Sequence, residues 1–222
     1  MSELRDLIGS HITMIRTAKQ RSLKSGVRDI SPQIVLHRRG RLLASIIHAD
    51  PVGAEEIMSF ASLCAKDFAA DIAIVSFENI VSTLQVHPLT GKPLTSDELP
   101  ELLTHPDSVE LGWTQEQISL LGADRHGNTI RIEQPYILGD RLTWLTPKMA
   151  AEDFSNLRKH MVEKLSEAMQ EVTANGQSSE VDIQTAGALM QSHRCVVTVV
   201  DASGQIIFSP MEYAQTHGMV ID

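Results

Sequence analysis

Aromatic residues make up only 4% of this 222-residue chain, so aliphatic side chains and methionine must fill its core. Two cysteines, Cys64 and Cys195, are too few and too far apart for a disulfide framework or a thiolate zinc site, and they read as reduced core thiols. No run of about 18 apolar residues occurs, which excludes a membrane-spanning helix. The opening MSELRDLIGS carries acids where a signal peptide needs a basic and then an apolar stretch. The expectation is a soluble, cytoplasmic protein. Missing too are G-x-G-x-x-G, a complete Walker A sequence, H-E-x-x-H, G-x-S-x-G, and His or Cys pairs at zinc spacing. Thr90-Gly91-Lys92 matches only the tail of a phosphate loop, with Pro93 at the hydroxyl position.

Charge is present but unevenly placed. Residues 1–41 hold nine Lys and Arg against three acids, a net of +6, and because the whole chain is −9 the remainder carries −15. An acidic body repels nucleic acid, which confines any such binding to the basic residues 16–41. The other reading of that stretch is a solvated helix face followed by a charged hairpin turn.

The apolar pattern divides the chain into an N-terminal basic amphipathic helix (1–30), a central α/β domain (31–146), a long helix (147–174), and a linker with a C-terminal helix and β-hairpin (175–222). Leu4, Leu7, Ile8, Ile12 and Ile15 fall at helical spacing over residues 2–20. Residues 33–36 and 41–48 read as a hairpin turning at Arg38-Arg39-Gly40. Asp50-Pro51 suits a helix start, with Asp50 as cap, and Ile57, Phe60, Ala61, Cys64 and Phe68 stripe a helix over 53–69. Ile72-Ala73-Ile74-Val75 then reads as a buried central strand over 71–77, returning beside the hairpin by a crossover. Residues 96–103 suit a short helix. Residues 117–121 and 129–137 suit strands around a turn at 124–128, and 141–145 a further strand. Val196-Val197-Thr198-Val199-Val200 is too apolar for a free edge, so it must dock on the main sheet or on another subunit. The fold class expected is α+β: a central mixed sheet of hairpin, helix, strand and second hairpin, flanked by helices.

The polar stretch after the central strand draws attention, because loops leaving such strands carry chemistry in many folds. Gln85-Val86-His87-Pro88 with Ser96 resembles the H-x-H-P, seven residues, S-x-x-D motif of the JAB/MPN metalloproteases. Here Gln85 replaces the first histidine and Leu99 the aspartate, leaving His87 short of the roughly three protein ligands that zinc needs. Phe77-Glu78, His87-Pro88-Leu89-Thr90-Gly91-Lys92-Pro93 and Glu133-Gln134-Pro135-Tyr136 resemble, across about residues 33–145, uncharacterised α/β proteins of actinobacteria and their phages. That resemblance implies a compact domain and no particular activity.

Carboxylates and imidazoles gathered at strand ends can bind a divalent ion or move a proton. The candidate catalytic residues are Glu78, His87 and Asp97, and the candidate metal ligands are His48, Asp50, Glu78 and His87, with a divalent metal as the cofactor they imply. Each also has an ordinary structural use, in capping a helix or tying down a loop. The leading expectation is a non-enzymatic binding or assembly protein that self-associates as a homo-oligomer through its long helix and C-terminal segment, or binds a protein partner, with no membrane contact. The alternative is a metal-assisted hydrolase.

Overall fold

Along the central strand, Ile72 and Ile74 point one way and Ala73, Val75 and Phe77 the other; all five are buried, so each face of the sheet needs its own cover. The computed structural model describes residues 2–50, 53–82, 107, 114–138, 141–149, 156–171 and 178–217. In chain order the elements are α1 (Ser2–Lys24), β1 (Gln33–Arg38), β2 (Arg41–His48), α2 (Ala54–Asp67), β3 (Ile72–Ser82), β4 (Thr114–Asp124) and β5 (Thr129–Leu138). There follow β6 (Leu142–Trp144), β7 (Lys148–Met149), α3 (Asn156–Gln170), α4 (Ser179–Ser192), β8 (Cys195–Val200), β9 (Ile206–Phe208) and α5 (Pro210–His217). This is the α+β class.

The nine strands form one sheet in the order β6-β5-β4-β3-β1-β2-β8-β9, with β7 also on the outer edge of β5. Every ladder is antiparallel, so among the described residues the sheet is antiparallel and not the mixed one expected, although the α+β class holds. Because β1 lies between β2 and β3, those two run parallel, and α2 makes the crossover that the apolar stripe called for. The β1–β2 turn puts both Arg39 (φ 52°) and Gly40 (φ 73°) in the left-handed region, the geometry that matches strand twist in a two-residue hairpin. Asp71 secures it by accepting the Arg39 backbone N–H at 2.7 Å.

α1 covers β3, β4 and β5 on one face through Leu4, Ile8 and Ile15. Gly122 on β4 lets it approach closely, since a Cβ there would lie 2.6 Å from Ile8 Cδ1. The opposite face carries the larger core, with α2, α3 and α4 packed over Leu36, Ala44, Ile46, Val75 and Val197.

Four details depart from the sequence reading. α2 begins at Ala54 with Gly53 as a cap that makes no side-chain bond, so Asp50 is not the cap. β3 runs on to Ser82 because β4 pairs with it as far as Thr114, which puts Glu78 within the strand and not at its end. Lys148–Met149 extends the sheet beside β5 instead of opening the long helix, which is described from Asn156. Ser178 belongs to α4, whose Val181 N–H donates to its hydroxyl at 3.4 Å, and not to a linker. The short helix expected at 96–103 lies outside the described residues.

Candidate functional site

The stripe that begins with Leu4 and Ile8 continues at helical spacing onto His11, Ile15 and Lys19, so a histidine and a lysine are carried under α1 with the apolar residues. Lys19 is 0% exposed. Its ammonium meets Glu78 Oε1 at 2.5 Å, donates to the Arg28 carbonyl at 2.6 Å and sits 4.8 Å from the centre of the Tyr136 ring. The ammonium is thus ion-paired, hydrogen-bonded and faced by an aromatic ring. Glu78 is equally committed. Its Oε1 also accepts from the Tyr136 hydroxyl at 2.8 Å, and its Oε2 accepts from the Ile30 N–H at 2.8 Å. Burial, then the Glu78 charge, push the Tyr136 phenol far above its ordinary pKa, so it stays a neutral donor.

Next to this clasp Glu116 lies buried on β4, and Arg28 Nη2 reaches its Oε1 at 2.5 Å. Its Oε2 has no hydrogen-bond partner. Together with Asp29, Ile30, Pro32 and Ile80, the two glutamates line a cleft of about 250 Å3.

The other candidate residues have separate duties. His48 Nδ1 lies 3.1 Å from the Asp50 carbonyl, and its ring packs edge-on against Phe60. The Asp50 carboxylate pairs with Arg194 at 2.8 Å. His87 and Asp97 lie outside the described residues. Among the described residues no three His, Cys, Asp or Glu side chains gather as a metal-ligand set. The Glu133 of the quoted strand motif is held on the other face of the sheet by Arg131, Gln117 and Ser119.

The thiols and imidazoles in the core are tuned away from charge. Burial raises Cys64 well above its ordinary pKa and Cys195 to about 11, so neither is a ready thiolate. Burial and then the neighbouring His37 hold His11 down to about 4, with His11 Nε2 lying 3.2 Å from Ser76 Oγ. Burial also lowers His37.

The N-terminal basic excess now has a structural account. Lys19 on Glu78, Arg28 on Glu116 and Arg38 on Asp182 each tie a cation from residues 16–41 to a carboxylate of the acidic remainder. Arg16 and Arg41 also bond inward, to Gln134 Oε1 and to the Ala202 carbonyl.

Part of the face that α1 covers stays free of any described helix. Beyond the reach of α1, the strands β2, β8 and β9 present Leu42, Ser45, Ile47, Val196, Thr198, Val200 and Ile206, with Leu42, Ile47 and Ile206 exposed. No helix among the described residues is long and apolar enough to cross a membrane. The chain matches no protein-family model, no curated protein and no solved structure.

Proposed function

We propose that this is a soluble, cytoplasmic, non-enzymatic binding or assembly protein that associates with itself. The observation carrying this reading is the part of the sheet that no described helix covers: Ile47 pairs directly with Val196, and Ile206 with Val200, two apolar pairs on three strands with the Ser45–Thr198 pair between them. A flat apolar surface rimmed by polar residues is what an interface between subunits requires. The polar clusters favour binding over chemistry, because Lys19, Glu78, Glu133 and Tyr136 are engaged with one another or with the backbone. The surface differs from the one first expected. α3 turns Met161, Val162, Leu165 and Met169 inward, and β8 pairs with β2 of its own chain, so the C-terminal segment contributes its sheet face and not its strand edge.

Multi-angle light scattering across a concentration series tests this. The full chain is expected to run at a multiple of the single-chain mass, and the double variant Ile47→Glu, Ile206→Glu at the single-chain mass with its circular dichroism unchanged. A full chain that stays monomeric throughout, or a double variant with undiminished mass, ends the proposal. Binding of nucleic acid through residues 16–41 predicts a steep loss of affinity with added salt in the same preparation.

A further inference from the structure

We propose that α1 is a proton-released cover: acid lifts it from the sheet as a unit while the larger core on the opposite face stays folded. Both buried histidines among the described residues lie under this one helix, His11 on α1 itself and His37 on β1. His48 and His193, which border the larger core at Phe60, are only half-buried. A proton therefore acts most strongly on the smaller core.

Among the described residues no carboxylate bonds either ring. His11 Nε2 meets the Ser76 hydroxyl at 3.2 Å, and His37 Nδ1 has no hydrogen-bond partner. The charged groups of the surrounding elements are occupied elsewhere. Lys19 of α1 and Glu78 of β3 hold one another, Arg38 of β1 crosses to Asp182, and Asp71 takes Arg125. Arg41 of β2 reaches the Ala202 carbonyl, Asp124 of β4 accepts from its own turn, and Arg131 and Glu133 of β5 pair on the other face. Glu3 of α1 lies over the Gly40 turn. Burial, and for His11 also the neighbouring His37, keeps both rings neutral. Protonating them would set two like charges in a space without a counter-ion.

The fold lets α1 leave alone. It is the one described helix on its face, and its apolar contacts belong to a core separate from the one beneath α2, α3 and α4. Separate cores can open separately. His11 titrates at about 4 under the closed helix and at its ordinary 6.5 once released, so the opening constant rises about thirtyfold between pH 7.5 and pH 5. Release uncovers Ile72, Ile74, Ile118 and Leu120 next to the bare part of β2 and β8, whether or not a second copy occupies it.

Hydrogen exchange of the full-length protein, read by mass spectrometry at pH 7.5, 6 and 5 and corrected for the intrinsic rate at each pH, tests this. Peptides from α1 are expected to exchange together and more readily than those from α2 at every pH. Their protection should fall by about thirtyfold or more from pH 7.5 to pH 5. His11→Gln should remove most of that fall, and adding His37→Leu should remove the rest. The wild-type comparison of α1 with α2 decides the matter even if a variant folds poorly. Protection of α1 that equals that of α2, or that stays constant with pH, overturns the proposal. So does a pH response that the double variant leaves intact.

Discussion

Replacing Lys19 by methionine is expected to cost about 3–5 kcal/mol of folding stability, the range found when one partner of a buried ion pair is removed. For a chain of this length that lowers the melting temperature by roughly 10 °C. The cost comes from what is left behind. Glu78, with its side chain 13% exposed, would be left without its nearest cation, and the Arg28 carbonyl would lose its donor. Changing Glu78 to glutamine in the same chain should recover most of the loss, because the amide is neutral and its oxygen can accept from the Ile30 N–H while its NH2 donates to the Tyr136 hydroxyl oxygen. Urea unfolding of wild type, both single variants and the double variant gives the coupling between the two residues. A Lys19→Met cost below about 1 kcal/mol, the value of an ordinary surface pair, would mean that the clasp does not hold α1 to the sheet.

Acidification should destabilise the protein well before its carboxylates begin to protonate. His11 titrates at about 4 in the folded chain against 6.5 for the free side chain, because burial and the neighbouring His37 disfavour its charge. The unfolded chain therefore takes up the proton first. Stability from this group is complete above pH 6.5 and drains away as the pH falls toward 4, by about 3 kcal/mol at most. His37, also lowered by burial, adds to the same trend with the same sign. The measurement is the urea midpoint at pH 7.5 and at pH 5 for wild type and for His11→Gln, which can still bond Ser76. The variant should lose distinctly less stability across that interval. Equal losses in the two proteins would mean that His11 is not held neutral in the folded state.

Much of the architecture was legible because it depends on neighbours along the chain. The β-branched run at 72–75, the Gly-marked turns at 38–40 and 124–128, and the stripe of Ile57, Phe60, Ala61, Cys64 and Phe68 each specify local structure, and each is found there. The site was far less legible. Glu78 drew notice as a carboxylate after an apolar run, yet its partners are Lys19, Ile30 and Tyr136, all distant in sequence. Composition reveals that charges exist and not which of them meet. The one available clue was the helical stripe of α1, since continuing Leu4 and Ile8 at the same spacing reaches His11, Ile15 and Lys19 and so announces a buried lysine in need of an anion. Glu116 offered no such signal. Its burial follows from the long β3–β4 ladder, whose last pairs, from Ile80 to Ser82 with Glu116 to Thr114, lie past the apolar residues that made the strand recognisable.

The position of β8 has a consequence for synthesis. Its ladder with β2 joins residues 44–48 to residues 195–199, so about 150 residues must be made before that edge is closed. Through that interval β2 presents unpaired backbone and bare aliphatic side chains, the condition under which nascent chains adhere to one another. A ribosome stalled ahead of Cys195 would thus release a polypeptide with most of its helices and a sticky flank. Fragments ending there should require chaperones that the complete product can do without.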